Sequence, residues 1–144
     1  MVDLFGAYPA LATLGVVTCV LVLKMTAVGL VTTVHRMRHR RFATQEDLAL
    51  VPGASTERHD DVERARRAHR NDLENIPPFL LVALFFALTH PSATAVAIYY
   101  WGFTAARIAH SVFYLRSAQP FRTLSYTIGW LALVAMTFHT WMRL

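Results

Sequence analysis

Arginine, carboxylate, amide, imidazole and phenol groups recur at helical spacing in this chain, and their types suit the capture of a small charged ligand. At about 100° per residue, Glu63, Arg67, Arg70, Asn71 and Glu74 fall within one arc of roughly 100°, so a helix here presents them as one polar stripe. Further along, Arg107, His110 and Tyr114 follow i, i+3, i+7 spacing and share a face. Arg122 and Tyr126 stand one turn apart, with Thr123 beside Arg122. Arginine exceeds carboxylate on these faces, which points to an anionic ligand gripped through guanidinium forks. Asn71 and Glu74 add acceptors for ammonium or amide groups, so a peptide-like zwitterion fits the set.

The elements that position these residues are membrane helices. The chain has 144 residues, 55% of them hydrophobic. That is more apolar surface than one water-soluble core of this size can hide. Four apolar stretches, about 9–34, 73–88, 93–115 and 121–141, approach the roughly 20 residues needed to cross the hydrocarbon core. The expected architecture is all-α, an integral membrane four-helix bundle forming one domain over 1–144. Asp3 near the N-terminus and the length of the first span argue against a cleavable signal peptide. Ionisable groups at membrane depth are costly and normally face a bundle interior or polar cavity, where they carry function.

The charge distribution sets the orientation. Nine of the fourteen basic residues lie between His35 and Asn71, and Arg116 and Arg122 flank the third connection, whereas the turn at His90-Pro91-Ser92 has no Lys or Arg. By the positive-inside rule both basic loops face the cytoplasm and both termini lie opposite. Six acidic residues share the 35–71 segment and Phe42 is its single aromatic residue, a poor composition for stacking bases, so nucleic acid is not an expected partner. Cys19 is the one cysteine, which excludes an internal disulfide and a thiolate metal cluster, and no metal site is expected.

Between the first two helices, about 35–61, Pro52-Gly53 and many polar residues read as a loop, with Asp60 or Asp61 as the N-cap of the second helix. Pro77-Pro78 should kink that helix. Asp72 points away from Glu63 on the wheel and is expected to form a structural pair with Arg107. Lys24, inside the first span, is expected to be structural as well, snorkelling or bonded to a carbonyl.

The run ERARRAHRNDLENI over 63–76 resembles the signature of the MAPEG family, the membrane-associated proteins of eicosanoid and glutathione metabolism. Lys24-Met25, Arg36-Met37-Arg38, Phe42 with Glu46-Asp47, Ala106-Arg107-Ile108-Ala109-His110, and Pro120-Phe121-Arg122 through Tyr126-Thr127 follow the same pattern, most closely that of its prostaglandin-synthesising members. The resemblance covers about 24–127. It implies a homotrimer with a glutathione site at each subunit interface, open to the cytoplasm. Carried over by position, Arg67, Arg70, Asn71, Glu74, His110, Tyr114, Arg122 and Tyr126 would contact glutathione, and Arg36 would reach in from a neighbouring subunit. Arg122 would face the sulfur. Thr123 stands where the prostaglandin-synthesising members carry Ser at the thiol, and Asp47 matches an acidic residue tied to isomerase chemistry.

The implied activity is a glutathione transferase with peroxidase activity, acting on lipophilic electrophiles that arrive through membrane lipid. A glutathione-dependent prostaglandin-type isomerase is the alternative. Two other classes compete, a lipid-binding scaffold and a small exporter. An intact arginine set argues against the scaffold, and the excess of Arg around Glu74 argues against a cation exporter.

Overall fold

A computed structural model describes residues 3–49 and 51–144. It is all-helical among the described residues, in the order α1 (Leu4–Ala7), α2 (Pro9–His39), a 3-10 turn (Glu46–Ala49), α3 (Asp60–Leu88), α4 (Ala93–Val96), a π-helical turn (Ala97–Trp101), α5 (Gly102–Leu115) and α6 (Phe121–Trp141). α2 and α3 are each long and apolar enough to cross a membrane. The stretches around α4–α5 and α6 match the expected third and fourth spans in their bounds, but Thr, His, Arg and Tyr dilute their apolar character.

α2 starts with Pro9 at its first turn, where the missing N–H costs nothing, and ends on Arg40 in the left-handed conformation. It runs through His39, so the loop begins at 40 instead of 35. Within it the hydroxyls of Thr18, Thr26, Thr32 and Thr33 each donate to the carbonyl four residues back, which satisfies them without water.

α3 begins at Asp60, well before its apolar half. Its N-cap is His59, whose Nδ1 accepts from the Asp61 N–H at 3.3 Å, and not Asp60 or Asp61 as the sequence led us to expect. Asp60, Asp61 and Glu63 fill the first turn instead and complement the positive end of the helix dipole. The helix continues through Pro77 and Pro78 to Leu88, and both prolines are exposed, so their rings do not disturb the packed face.

α3 is the hub. It packs against α2, α5 and α6, and α5 packs along α6. The core between them is built by Val17 and Leu21 of α2, Ile76, Phe79, Ala83 and Phe86 of α3, Tyr100, Phe103 and Met136. Phe79 and Phe103 stack with centroids 3.8 Å apart, and the buried Tyr100 hydroxyl donates to the Ala83 carbonyl at 2.7 Å. Tyr100 sits in the π-helical turn, which widens the backbone by one residue and resets the phase of α5. That phase turns Arg107 toward α3.

Beneath the polar stripe, three helices meet in a buried ion cluster. Asp72 of α3 is fully buried, its Oδ1 accepting from Lys24 Nζ of α2 and, at 3.1 Å, from an Arg107 nitrogen of α5. The expected Asp72–Arg107 pair is present. Lys24 is structural as expected, but by a different contact: it neither snorkels nor bonds a carbonyl, and instead closes an ion pair with Asp72. Its removal leaves Asp72 paired with Arg107, so Lys24→Met should cost about 1.5 kcal/mol, the scale of one hydrogen bond to a charged group. Thermal melting and turnover of the variant check this, and turnover should stay close to that of the parent.

Candidate functional site

The C-terminal half of α5 and the first turns of α6 bring four of the sequence-predicted residues together. His110 donates its Nδ1–H to the Arg122 carbonyl at 2.9 Å, tying the two helices at the point where α6 begins. Its ring lies 5.5 Å from that of Tyr114, edge-on, and 5.7 Å from that of Tyr126. The Arg122 guanidinium carbon sits 4.7 Å from the Tyr114 ring centroid, a cation–π contact that holds the charge in place. Imidazole, two phenols and a guanidinium are thus grouped at one end of the bundle.

Gln119 joins this group although it is not among the site residues expected from the sequence. Its amide lies 3.0 Å from Thr123 Oγ1, and with its oxygen turned to Arg122 it accepts from Nε at 3.2 Å. Thr123 itself is exposed. The hydroxyl and the guanidinium are therefore linked through one amide instead of acting as independent groups.

The α3 stripe is only partly free to bind. Asn71 accepts from Arg107 through its side-chain oxygen, which connects the stripe to the buried Asp72 cluster. Arg70 and Glu74 pair with each other at 2.9 Å, at 80% and 54% side-chain exposure. Such an exposed i, i+4 pair is worth little and exchanges easily for ligand groups. Arg67 is exposed, whereas Glu63 is taken up by Arg66 at 3.3 Å.

Asp47 stands outside both groups, and Arg36 meets only the Glu63 end of the stripe. Arg36, near the end of α2, lines a cavity of about 190 Å³ with Arg58, Glu63 and Arg66. Asp47 lies in the 3-10 turn, beside Glu46, whose carboxyl is held below its ordinary range by its own backbone N–H and the Thr44 hydroxyl. Among the described residues no hydrogen bond or ion pair joins Arg36 or Asp47 to the His110 group.

Several buried polar atoms have no partner within the chain among the described residues: Arg107 Nε and Asp72 Oδ2 in the ion cluster, and His110 Nε2 and Ser111 Oγ on α5. Buried polar groups are normally satisfied. Of these, His110 Nε2 belongs to the ring that meets Tyr114 and Tyr126.

The chain is a helical bundle with two helices long enough to cross a membrane, an ion cluster at its centre and an arginine–tyrosine–histidine group at one end, features suited to a membrane protein. Residues 14–142 match the MAPEG family model, and the chain belongs to that family. It is similar to prostaglandin E synthase of Equus caballus, 39% identical over 81% of this chain and 77% of the relative. The corresponding Homo sapiens protein is 36% identical over 89% and 86%. Microsomal glutathione S-transferase 1 of Homo sapiens is 34% identical over 94% of this chain and 88% of its own length.

Proposed function

We propose that the chain is a membrane-bound glutathione transferase with peroxidase activity, whose Arg122 stabilises the glutathione thiolate for attack on lipophilic electrophiles. The observation that carries this reading is the grouping of His110, Tyr114, Arg122 and Tyr126 at one end of α5 and α6. Arg67 and Arg70 clamp the ligand carboxylates, with Arg70 released from Glu74, and Glu74 and Asn71 receive its ammonium and amide groups. Tyr114 and Tyr126 donate hydrogen bonds near the sulfur, and Thr123 and Gln119 fix the guanidinium. In conjugation with an aryl halide, the thiolate forms the new C–S bond, halide leaves, and the thiol proton passes to solvent.

In this reading all four helical stretches cross the membrane, the basic connections face the cytoplasm, and three subunits assemble with Arg36 and Asp47 completing a neighbour's site. The separation of Arg36 from the His110 group within one chain supports such sharing. The second reading, a prostaglandin-E-synthase-like isomerase, is favoured by identities of 36–39% to proteins of that name. Both begin from the same thiolate.

Glutathione at about ten times its dissociation constant should stabilise the purified protein by about 1.4 kcal/mol, read as a rise in Tm in detergent micelles. An unchanged Tm across a wide glutathione range would refute the site. Turnover with an aryl halide, a lipid hydroperoxide and a prostaglandin endoperoxide then separates transferase, peroxidase and isomerase.

A further inference from the structure

His35 and His39 stand one turn apart at the end of α2 and meet the start of α3, where Asp61 follows the cap residue His59. One ligand atom from each of His35, His39 and Asp61 lies within 4.8 Å of the other two. Asp61 Oδ1 is held by Arg64 at 2.9 Å, which leaves Oδ2 facing His39 Nε2 at 3.8 Å. His59 stacks on His39 with centroids 3.7 Å apart, and its Nδ1 is committed to the helix cap. His35 Nδ1 is enclosed and has no hydrogen-bond partner among the described residues. Two imidazoles and one carboxylate on two adjoining helices form the set used by zinc-type ions in three-ligand sites.

We propose that His35, His39 and Asp61 form a binding site for a divalent transition metal ion of zinc type, which clamps the end of α2 to the beginning of α3. Metal–ligand bonds of about 2.0–2.2 Å in tetrahedral geometry put ligand atoms about 3.3 Å apart, so atoms now within 4.8 Å of one another need to close in by about 1.5 Å at most. The surroundings select the kind of ion. Arg38 on α2 and Arg64 on α3 make the locality cationic, which disfavours Mg²⁺ and Ca²⁺ with their need for several carboxylates, whereas imidazole ligands favour Zn²⁺ or Co²⁺. None of the three residues belongs to the proposed glutathione group.

The test uses full-length, tag-free protein in detergent micelles, stripped with chelator and titrated with Co²⁺. The expected result is saturable binding of one Co²⁺ per chain, with visible absorption bands of tetrahedral type that Zn²⁺ displaces, and a Tm raised by the metal. His35→Gln, His39→Gln and Asp61→Asn should each weaken binding about tenfold or more. Asp61→Asn keeps the backbone N–H that His59 caps, so its metal-free Tm controls for folding. Absence of saturable Co²⁺ binding overturns the proposal. So does unchanged affinity in the His35→Gln/His39→Gln double variant, which would place the ion on other imidazoles.

Discussion

Asp72→Asn is expected to lower stability by about 3–5 kcal/mol, the cost of removing one partner from a buried ion pair, a fall in Tm on the order of 10 °C or more. Asp72 is the single carboxylate between Lys24 and Arg107, and its side chain is fully buried. Neutralising it leaves two cations facing each other across the α2–α3–α5 junction, where little water screens them. The effect is therefore larger than that of removing either cation alone. Lys24→Met in the Asp72→Asn background removes one of the stranded charges, so the double variant should melt above the single Asp72→Asn variant. Such non-additivity is the signature of a coupled network. Glutathione affinity should change less than stability, because Asp72 lies beneath the polar stripe. An Asp72→Asn variant that melts like the parent yet no longer responds to glutathione would move Asp72 from the scaffold to the ligand site.

That junction also shows what the sequence could and could not disclose. The Asp72–Arg107 pair was legible, because helical phase put Asp72 opposite the exposed stripe and a buried carboxylate requires a cation. Lys24 was legible only as structural. Its partner is 48 residues away and depends on how α2 docks on α3, which no local pattern encodes. The π-helical turn at Ala97–Trp101 left no mark either. Its residues, Ala, Ile, Tyr, Tyr and Trp, lie in an apolar run with no proline or glycine to signal a change, and beside the wide turn Tyr100 reaches the Ala83 carbonyl while Phe103 stacks on Phe79. The cap of α3 is His59 and not the two aspartates that follow it, because the imidazole serves as acceptor while the aspartates complement the dipole.

The site shows the same division. Spacing alone placed His110 and Tyr114 on one face and Arg122 and Tyr126 on another, and the structure brings these faces within ring contact. Spacing could not show that Arg70 and Glu74 satisfy each other, or that Asn71 is engaged by Arg107. Nor does spacing mark His35 and His39 as a possible coordinating pair, since their third partner, Asp61, comes from another helix.

Arg122→Ala is expected to reduce turnover near pH 7 by about 25-fold while weakening glutathione binding only modestly. A thiol of pKa about 8.5 is about 3% ionised at pH 7, whereas an adjacent guanidinium that lowers the pKa by about two units raises this to roughly 75%. The ratio of those populations sets the size of the loss. In the proposed site binding survives, because Arg67 and Arg70 on α3 would hold the carboxylates independently of α6. The fold survives because His110 bonds the backbone carbonyl of residue 122, which alanine retains. Arg122→Lys should fall between parent and alanine variant, since an ammonium keeps the charge but loses the planar contact with Tyr114 and the fork toward Gln119. The decisive measurement is the ultraviolet absorbance of the bound thiolate followed against pH. The apparent thiol pKa should be depressed in the parent and return toward about 8.5 in Arg122→Ala, with turnover falling in step. A variant that keeps both the depressed pKa and full turnover would pass the activating role to Tyr114 or Tyr126, whose phenols flank the same His110 ring.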